Sequence, residues 1–196
     1  MAFDEGKRPS SEPDLDMLGL RLGANRIAKG AAAYEAGNEV LVKKKKREAL
    51  YRNGFTLPVT AERLIAEAER TTRHSTKLTR NMKAAGHVRP ADAAPGSVSA
   101  HHVVAATDLR ADESRKMLFR WSIGINDVDN GVYLPAHRKS TVTSLSNASK
   151  HAVIHTDLYH LNVLARLMPV PGNNPQNGRL TLRQIKQELV DGVFPY

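Results

Sequence analysis

Ser99-Ala-His-His-Val-Val104 is the stretch that decides the fold of this chain. The β-branched residues after the two histidines predict a short strand. Neighbouring side chains of a strand point to opposite faces. We therefore expect one imidazole of the His101–His102 pair to face a metal ion, while the other faces solvent and a substrate.

A second strand and a second pair of histidines follow this stretch. Asn130-Gly131 is a strong tight-turn signal, and Val132-Tyr-Leu134 after it predicts a short strand that ends before Pro135. The apolar spacing over 150–167 predicts a helix that contains His151 and His155. At 3.6 residues per turn, these two side chains lie about 40° apart and can share one cation. The order strand, turn, strand, helix predicts a compact metal fold with three converging imidazoles.

Turn signals and apolar spacing divide the remaining chain into helices and loops. Asn53-Gly54 is interpreted as the end of a helix over 39–52. The apolar stripe that follows predicts one helix over 60–86, and another is predicted over 108–121. Thr181 is the expected cap of a final helix. The predicted fold class is α+β and mostly helical.

The composition is ordinary for a globular protein, except that cysteine is absent. Of the 196 residues, 41% are hydrophobic and 25% are charged. The lack of cysteine excludes disulfide bonds and thiolate zinc ligands, so His, carboxylate or water must hold any metal. No apolar run approaches the length of a membrane span, and Met1-Ala-Phe-Asp-Glu5 does not read as a secretory signal.

The positive charge is concentrated before the histidine-rich block. The formal net charge is +9, and residues 21–89 carry 16 basic and 6 acidic side chains. This excess predicts a polyanionic partner. Two interpretations stay open for this segment: it tracks phosphates beside the active site, or it is a solvated or export-related surface. Lys43–Arg47 would circle a helix, so we interpret this run mainly as solvated.

The histidine motifs and their surroundings resemble the AHH branch of the HNH, or ββα-metal, endonucleases, which is named for its Ala-His-His motif. The resemblance covers about 78–167, and three separated motifs occur in the family's order. The matching segments are Asn81–Gly86 with Arg89-Pro90 and Ser99–Val104, then Gly124–Asp127 with Asn130–Pro135, then His151-x-x-x-His155-x-x-x-Tyr159.

The resemblance implies hydrolysis of phosphodiester bonds with one divalent metal ion. It assigns His101, His151 and His155 as the metal ligands and His102 as the general base. Asn130 is the further catalytic-site residue, which would hold the loop that positions His102 through bonds to the backbone across the hairpin. The expected ion is Mg²⁺, with Zn²⁺, Ni²⁺ and Mn²⁺ as alternatives.

Three side chains are expected in supporting or phosphate-binding roles, namely Tyr159, Arg138 and Lys150. The segment over 136–150 is longer than the family pattern leads us to expect. His137 or His160 therefore remains an alternative to His151 as a ligand. His74 and His87 lie among cations and are interpreted as surface residues without a catalytic role.

The predicted organisation is a flexible leader over 1–13, a basic helical region over 14–88, and a C-terminal ββα-metal (HNH) nuclease module over 89–196. The prolines and glycine between residues 89 and 99 mark the predicted boundary.

The predicted function is a DNA endonuclease that serves as a bacterial toxin or effector in competition between bacteria. The resemblance implies a cognate immunity protein in the producing cell. We expect production in the bacterial cytoplasm without a cleaved signal, followed by export through a specialised secretion system. The alternatives are an RNase of the same fold and a metal-stabilised nucleic-acid-binding protein without catalysis, against which His102 counts.

Overall fold

Two short antiparallel sheets and five α-helices form the described part of the chain, in a computed structural model that describes residues 50–69 and 73–196. The strands are β1 (Tyr51–Arg52), β2 (Phe55–Thr56), β3 (Val98–His102) and β4 (Gly131–Pro135). The helices are α1 (Ala61–Ala68), α2 (His74–Ala84), α3 (Asp112–Arg120), α4 (Asp157–Leu167) and α5 (Pro175–Asp191). The prediction of a mostly helical α+β fold is confirmed.

Strands β3 and β4 form an antiparallel pair, called the hairpin below, that carries the histidine doublet. They pair antiparallel, with His101 opposite Val132 and His102 opposite Gly131. The predicted tight turn at Asn130-Gly131 is wrong, because Gly131 is extended at φ −122° and already belongs to β4. The two strands are instead joined by a long connection that contains α3.

The tight turn encoded by an Asn-Gly pair lies earlier, between β1 and β2. Asn53 and Gly54 both have positive φ, at 49° and 83°, which is the conformation that a two-residue hairpin turn requires. A side chain at Gly54 would clash, since a Cβ there would lie 2.3 Å from the carbonyl oxygen of Asn81. The predicted helix over 39–52 is therefore wrong at its end, where Tyr51–Arg52 forms a strand; residues 39–49 lie outside the described part.

Helix α2 packs directly on the β3–β4 hairpin. Leu78 and Met82 of α2 form a buried cluster with Val128, and a Cβ on Gly131 would lie 2.6 Å from Leu78 Cδ1. A glycine at the first position of β4 therefore lets the helix approach the strand closely. The single helix predicted over 60–86 is two helices, α1 and α2.

The described residues before the predicted boundary belong to the same compact unit as those after it. Residues 50–69 and 73–196 all lie in one unit. The domain boundary predicted at residue 89 stays a prediction. The predicted leader over 1–13 and the first part of the basic region, up to residue 49, lie outside the described residues.

The main core lies between the hairpin and helices α3, α4 and α5. Trp121 is buried there as the sequence predicts; its Nε1–H donates to the Pro171 carbonyl at 2.9 Å, and its ring packs on Gly178. The other large buried side chains of this core include Leu64, Leu118, Phe119, Ile123, Ile125, Leu134, Ile154, Tyr159, Leu167, Leu182 and Phe194. Within the described ranges, no helix is both long and apolar enough to cross a membrane.

Two predicted helix starts are wrong. Helix α4 begins at Asp157, where the Thr156 hydroxyl accepts the Tyr159 N–H and caps the helix. The segment over 150–156 is therefore a turn and an extended connection, not helix. Helix α5 begins at Pro175 with Asn174 as its cap, so Thr181 lies inside the helix. In both cases the cap residue favours the start of a helix, and so does the residue that follows it, Asp157 or Pro175.

Helix α5 is anchored to the turn before β4 by two arginines. Arg179 Nη1 donates to Asp127 Oδ1 at 2.9 Å and to Asp129 Oδ2 at 2.7 Å, and Arg183 Nε donates to Asp129 Oδ1 at 2.8 Å. Asp127 also accepts from the N–H and the hydroxyl of Thr56. Both carboxylates are buried, so this ionic cluster holds the turn in place.

We predict that Arg179→Met lowers the free energy of unfolding by about 3 kcal/mol, because it removes the cation shared by two buried carboxylates. The matched control is Arg166→Met, which breaks the Arg166–Glu188 pair on a solvent-exposed surface and should cost less than about 1 kcal/mol. Urea denaturation of both variants measures the difference. Equal losses in the two variants would contradict the structural role of the cluster.

Candidate active site

Three imidazoles lie close together beside the β3–β4 hairpin. His101 comes from β3, whereas His151 and His155 come from the segment that precedes α4. The N–H of His151 donates to the Pro135 carbonyl at 2.8 Å, which ties this segment to the end of β4. The potential ligand atoms of the three rings all lie within 4.8 Å of one another. The structure thus brings together the three predicted ligands.

The geometry of these rings fits a shared cation. The Nε2 atoms of His151 and His155 lie 3.2 Å apart, and two nitrogens bound to one tetrahedral ion at about 2.05 Å would lie about 3.3 Å apart. Burial lowers the pKa of all three histidines, and neighbouring imidazoles lower those of His101 and His151 further. Neutral imidazole is the form that binds metals, so the donor set suits a divalent ion.

Tyr159 fixes which nitrogen of His101 carries the proton. The Tyr159 hydroxyl donates its only proton to the Val103 carbonyl at 2.9 Å. Its 2.8 Å contact with His101 Nε2 must therefore be a bond that the imidazole donates. Nε2 of His101 carries the proton, and Nδ1 keeps the lone pair for a ligand. Tyr159 is fully buried, so its hydroxyl contacts His101 and Val103 and is not exposed to the cleft.

His102 points to the other side of the strand, as the alternation of the doublet predicts. Its Nε2 lies 3.1 Å from Asn126 Oδ1, which can only accept, so His102 donates through Nε2 and has a free lone pair on Nδ1. Burial lowers the pKa of His102 to about 4, although the bond to Asn126 acts in the opposite direction. The imidazole is therefore neutral at neutral pH and can accept a proton.

Both faces of the doublet border one open cleft of about 760 Å³. The residues that line the cleft include His101, His102, His151 and His155. Residues of α2 and the exposed Arg73 before it also line the cleft. An exposed cation beside four imidazoles is an arrangement that a phosphate group can approach. Sequence analysis did not single out Arg73, since nothing in its neighbours distinguishes it from other surface arginines.

Asn130 lies beneath the doublet and does not reach the cleft. Its Oδ1 accepts the Val104 N–H at 2.7 Å, and its Nδ2 donates to the carbonyls of Val104 and Ile125. The side chain has no exposed surface. Asn130 therefore holds the backbone that follows His102, as expected from the sequence, and its side chain is not exposed to the cleft.

The two predicted phosphate-binding cations lie away from the cleft. Arg138 is exposed in the loop after β4, and the Lys150 ammonium donates to the Ser140 carbonyl at 2.9 Å. Neither is among the described residues that line the cleft. Their predicted role has no support in this geometry.

The two alternative ligands are also outside the three-imidazole cluster. His137 is exposed and lies close enough to His151 to lower the pKa of that residue. His160 is buried, its ring centroid lies 5.4 Å from that of Tyr159, and its Nε2 lies 3.4 Å from Asp108 Oδ2. In the described structure, His151 is the residue that completes the cluster.

Two further buried side chains contact the site through Asn126, and sequence reasoning missed their roles. Glu67 Oε1 accepts from Asn126 Nδ2 at 3.0 Å, and His74 Nδ1 lies 3.2 Å from the same nitrogen. The interpretation of His74 as a surface residue is wrong, because it is buried. No local pattern reveals either role, since both depend on how α1 and α2 pack against the loop before β4.

The sequence matches one known protein family. The model of the AHH family, described as a nuclease family of the HNH/ENDO VII superfamily with conserved AHH, matches residues 78–189, more than half of the chain. No curated protein and no solved structure gives a significant match.

We predict that Tyr159→Phe weakens the affinity for Zn²⁺ about tenfold or more, because His101 loses the acceptor that fixes its protonated nitrogen. Isothermal titration with Zn²⁺ measures this change. Tyr133→Phe, a half-buried hydroxyl deletion in β4, is the matched control and should bind Zn²⁺ as the unmodified chain does. An unchanged affinity in Tyr159→Phe would show that the hydroxyl does not orient the ligand.

Proposed function

The chain belongs to the AHH nuclease family of the HNH/ENDO VII superfamily and is an endonuclease that hydrolyses phosphodiester bonds, and we propose that its substrate is DNA and that it acts with one divalent metal ion. We assign the metal to His101, His151 and His155, and general-base catalysis to His102. The observation that carries this proposal is the doublet itself, which directs one neutral imidazole to the three-ring cluster and the next to the same cleft from the other side of the strand.

The proposed role of His102 follows from its lone pair. With the proton on Nε2 held by Asn126, Nδ1 accepts the proton of the attacking water. The water oxygen forms a bond to phosphorus, the bond from phosphorus to the leaving sugar oxygen breaks, and solvent supplies the proton that this oxygen gains. A divalent cation in the cluster would supply electrostatic stabilisation of the charge that develops on the phosphate and the leaving oxygen.

We propose Zn²⁺ or Ni²⁺ ahead of the Mg²⁺ expected from the sequence. All three donors of the cluster are imidazoles, and none is a carboxylate. Imidazole suits zinc and nickel, whereas magnesium prefers oxygen ligands. Three protein ligands also leave a coordination position for water or substrate, as catalytic sites require.

Exposed cations of α2 and of the residue before it support a nucleic-acid substrate. Arg73 borders the cleft together with Asp108, whose carboxylate is paired with Arg110, and the exposed Arg80 and Lys83 follow on α2 outside the cleft lining. Contacts of this kind give affinity for the phosphate backbone without reading its sequence. The proposed step uses water as the nucleophile and needs no 2′-hydroxyl, so it can act on DNA. RNA is the alternative substrate.

The experiment that tests this function is digestion of supercoiled plasmid and of RNA by the purified chain. We expect plasmid cleavage with an added divalent ion, chosen from Zn²⁺, Ni²⁺, Mn²⁺ and Mg²⁺, and no cleavage in EDTA. His102→Ala should lose at least about a hundredfold in rate while retaining Zn²⁺ affinity, because only the proton acceptor is removed. His101→Ala should lose the metal instead.

Each outcome addresses a different part of the proposal. Cleavage that continues in EDTA would remove the metal from the mechanism. Loss of Zn²⁺ binding in His102→Ala with retention in His101→Ala would exchange the two roles. Cleavage of RNA alone would keep the site and change the substrate.

We further propose that the nuclease acts as a toxin between bacteria, made in the cytoplasm, exported by a specialised secretion system, and restrained in its producer by an immunity protein. The support is the family resemblance described above. Induced expression of the intact chain in a bacterium should arrest growth, whereas His102→Ala should not, since DNA would stay intact. Normal growth with the intact, cleavage-active chain would contradict a toxin role.

A further inference from the structure

A buried chain of hydrogen bonds connects helix α1 to the proposed general base. Glu67 of α1 is 3% exposed, and its Oε1 accepts from Asn126 Nδ2 at 3.0 Å. Asn126, which has no exposed surface, accepts from His102 through Oδ1 at 3.1 Å. Glu67 lies outside residues 78–189, the span matched by the family model.

The partners of Asn126 define the direction of its amide. A carboxylate can only accept, so the atom that faces Glu67 must be the NH₂ group. His74 agrees: its Nε2 lies 3.2 Å from the Ala68 carbonyl and must donate to it, which leaves Nδ1 to accept from Asn126 at 3.2 Å. Two independent acceptors therefore place the NH₂ group on one side and Oδ1 on the side of His102.

The backbone of Asn126 is held as firmly as its side chain. Its carbonyl accepts from Asn81 Nδ2 at 2.7 Å, and its N–H donates to the Tyr51 hydroxyl at 3.2 Å. Glu67 itself is held by Lys77, whose ammonium lies 2.7 Å from Oε1 and is partly exposed. Rotation of the amide would place its NH₂ group against His102 and its oxygen against the Glu67 carboxylate, and both contacts would then be unfavourable in the present arrangement.

We propose that Glu67 and His74 are positioning residues for the nuclease reaction, which together lock the Asn126 amide so that His102 keeps its proton on Nε2 and presents Nδ1 to the cleft. This inference rests on the proposed role of His102. It makes α1 and the start of α2 part of the functional nuclease, although both precede the family match. A protein that begins at residue 78 would retain His101 and His102 of β3, and His151 and His155 of the segment before α4. It would lose Glu67 and His74, which hold the Asn126 amide.

The test compares three substitutions in the full chain. Glu67→Met removes the acceptor and keeps the side-chain length. Glu67→Gln keeps an acceptor oxygen for Asn126 and should retain activity. Lys77→Met removes the ion pair but leaves the Glu67 carboxylate beside Asn126, so it reports the cost of breaking the pair alone.

We expect kcat for plasmid cleavage to fall about tenfold or more in Glu67→Met, because misdirection of a general base forfeits part of its contribution. The KM for plasmid and the affinity for Zn²⁺ should not change. Glu67→Gln and Lys77→Met should stay within about threefold of the unmodified chain, since the acceptor persists in both. A fall in Glu67→Met no larger than that in Lys77→Met would overturn the proposal.

A spectroscopic measurement tests the lock without activity. Nitrogen-15 NMR of the histidine rings in the metal-free protein should show His102 with its proton on Nε2, and Glu67→Met should introduce the Nδ1-protonated form. Protonation of Nδ1 in the unmodified chain would overturn the proposal even if Glu67→Met fails to fold. If the unmodified chain cleaves no nucleic acid, the proposed function fails, whereas this spectrum still decides the direction of the amide.

Discussion

The buried amide of Asn130 is the contact on which the site depends. It joins the backbone after β3 to the backbone before β4 through three hydrogen bonds, two to Val104 and one to Ile125. The two strands are separated by the long connection that contains α3, so their register is not fixed by a short turn. A one-residue shift of β3 would exchange the faces of His101 and His102. The amide therefore keeps His101 and His102 on the faces of β3 that their proposed roles as metal ligand and general base require.

Each of the two doublet histidines has a partner that selects its protonated nitrogen. The Tyr159 hydroxyl accepts from His101, and the Asn126 amide accepts from His102. In both rings this leaves Nδ1 with the free lone pair. The two partners belong to separate parts of the fold, since Tyr159 lies on α4, and Asn126 is held by α1 and α2. The orientation of the His101 and His102 rings therefore depends on helices α1, α2 and α4 as well as on the hairpin.

Much of the site could be predicted from the sequence because its residues follow short-range rules. Alternation along a strand separates His101 from His102, and Asn130 forms the predicted bonds across the hairpin. The histidine pair 151 and 155 converges as expected, but for the wrong reason, since Thr156 caps α4 after both residues. The sequence contains two Asn-Gly pairs, and only Asn53-Gly54 forms a tight turn. At Asn130-Gly131 the Asn130 side chain is buried and Gly131 pairs in β4, so no tight turn forms there. Glu67, His74 and Asn126 could not be assigned, because their contacts join residues up to 59 positions apart.

We propose that one divalent ion is bound by His101, His151 and His155, with His102 left free beside it. X-ray data from crystals grown with Zn²⁺, recorded on both sides of the zinc absorption edge, test this assignment. We expect one anomalous peak about 2.1 Å from Nδ1 of His101 and from one nitrogen of each of the other two rings. His102 Nδ1 should face the cleft without binding the ion. A peak with His102 as a ligand, or one bound at another site with these three rings empty, would contradict this assignment.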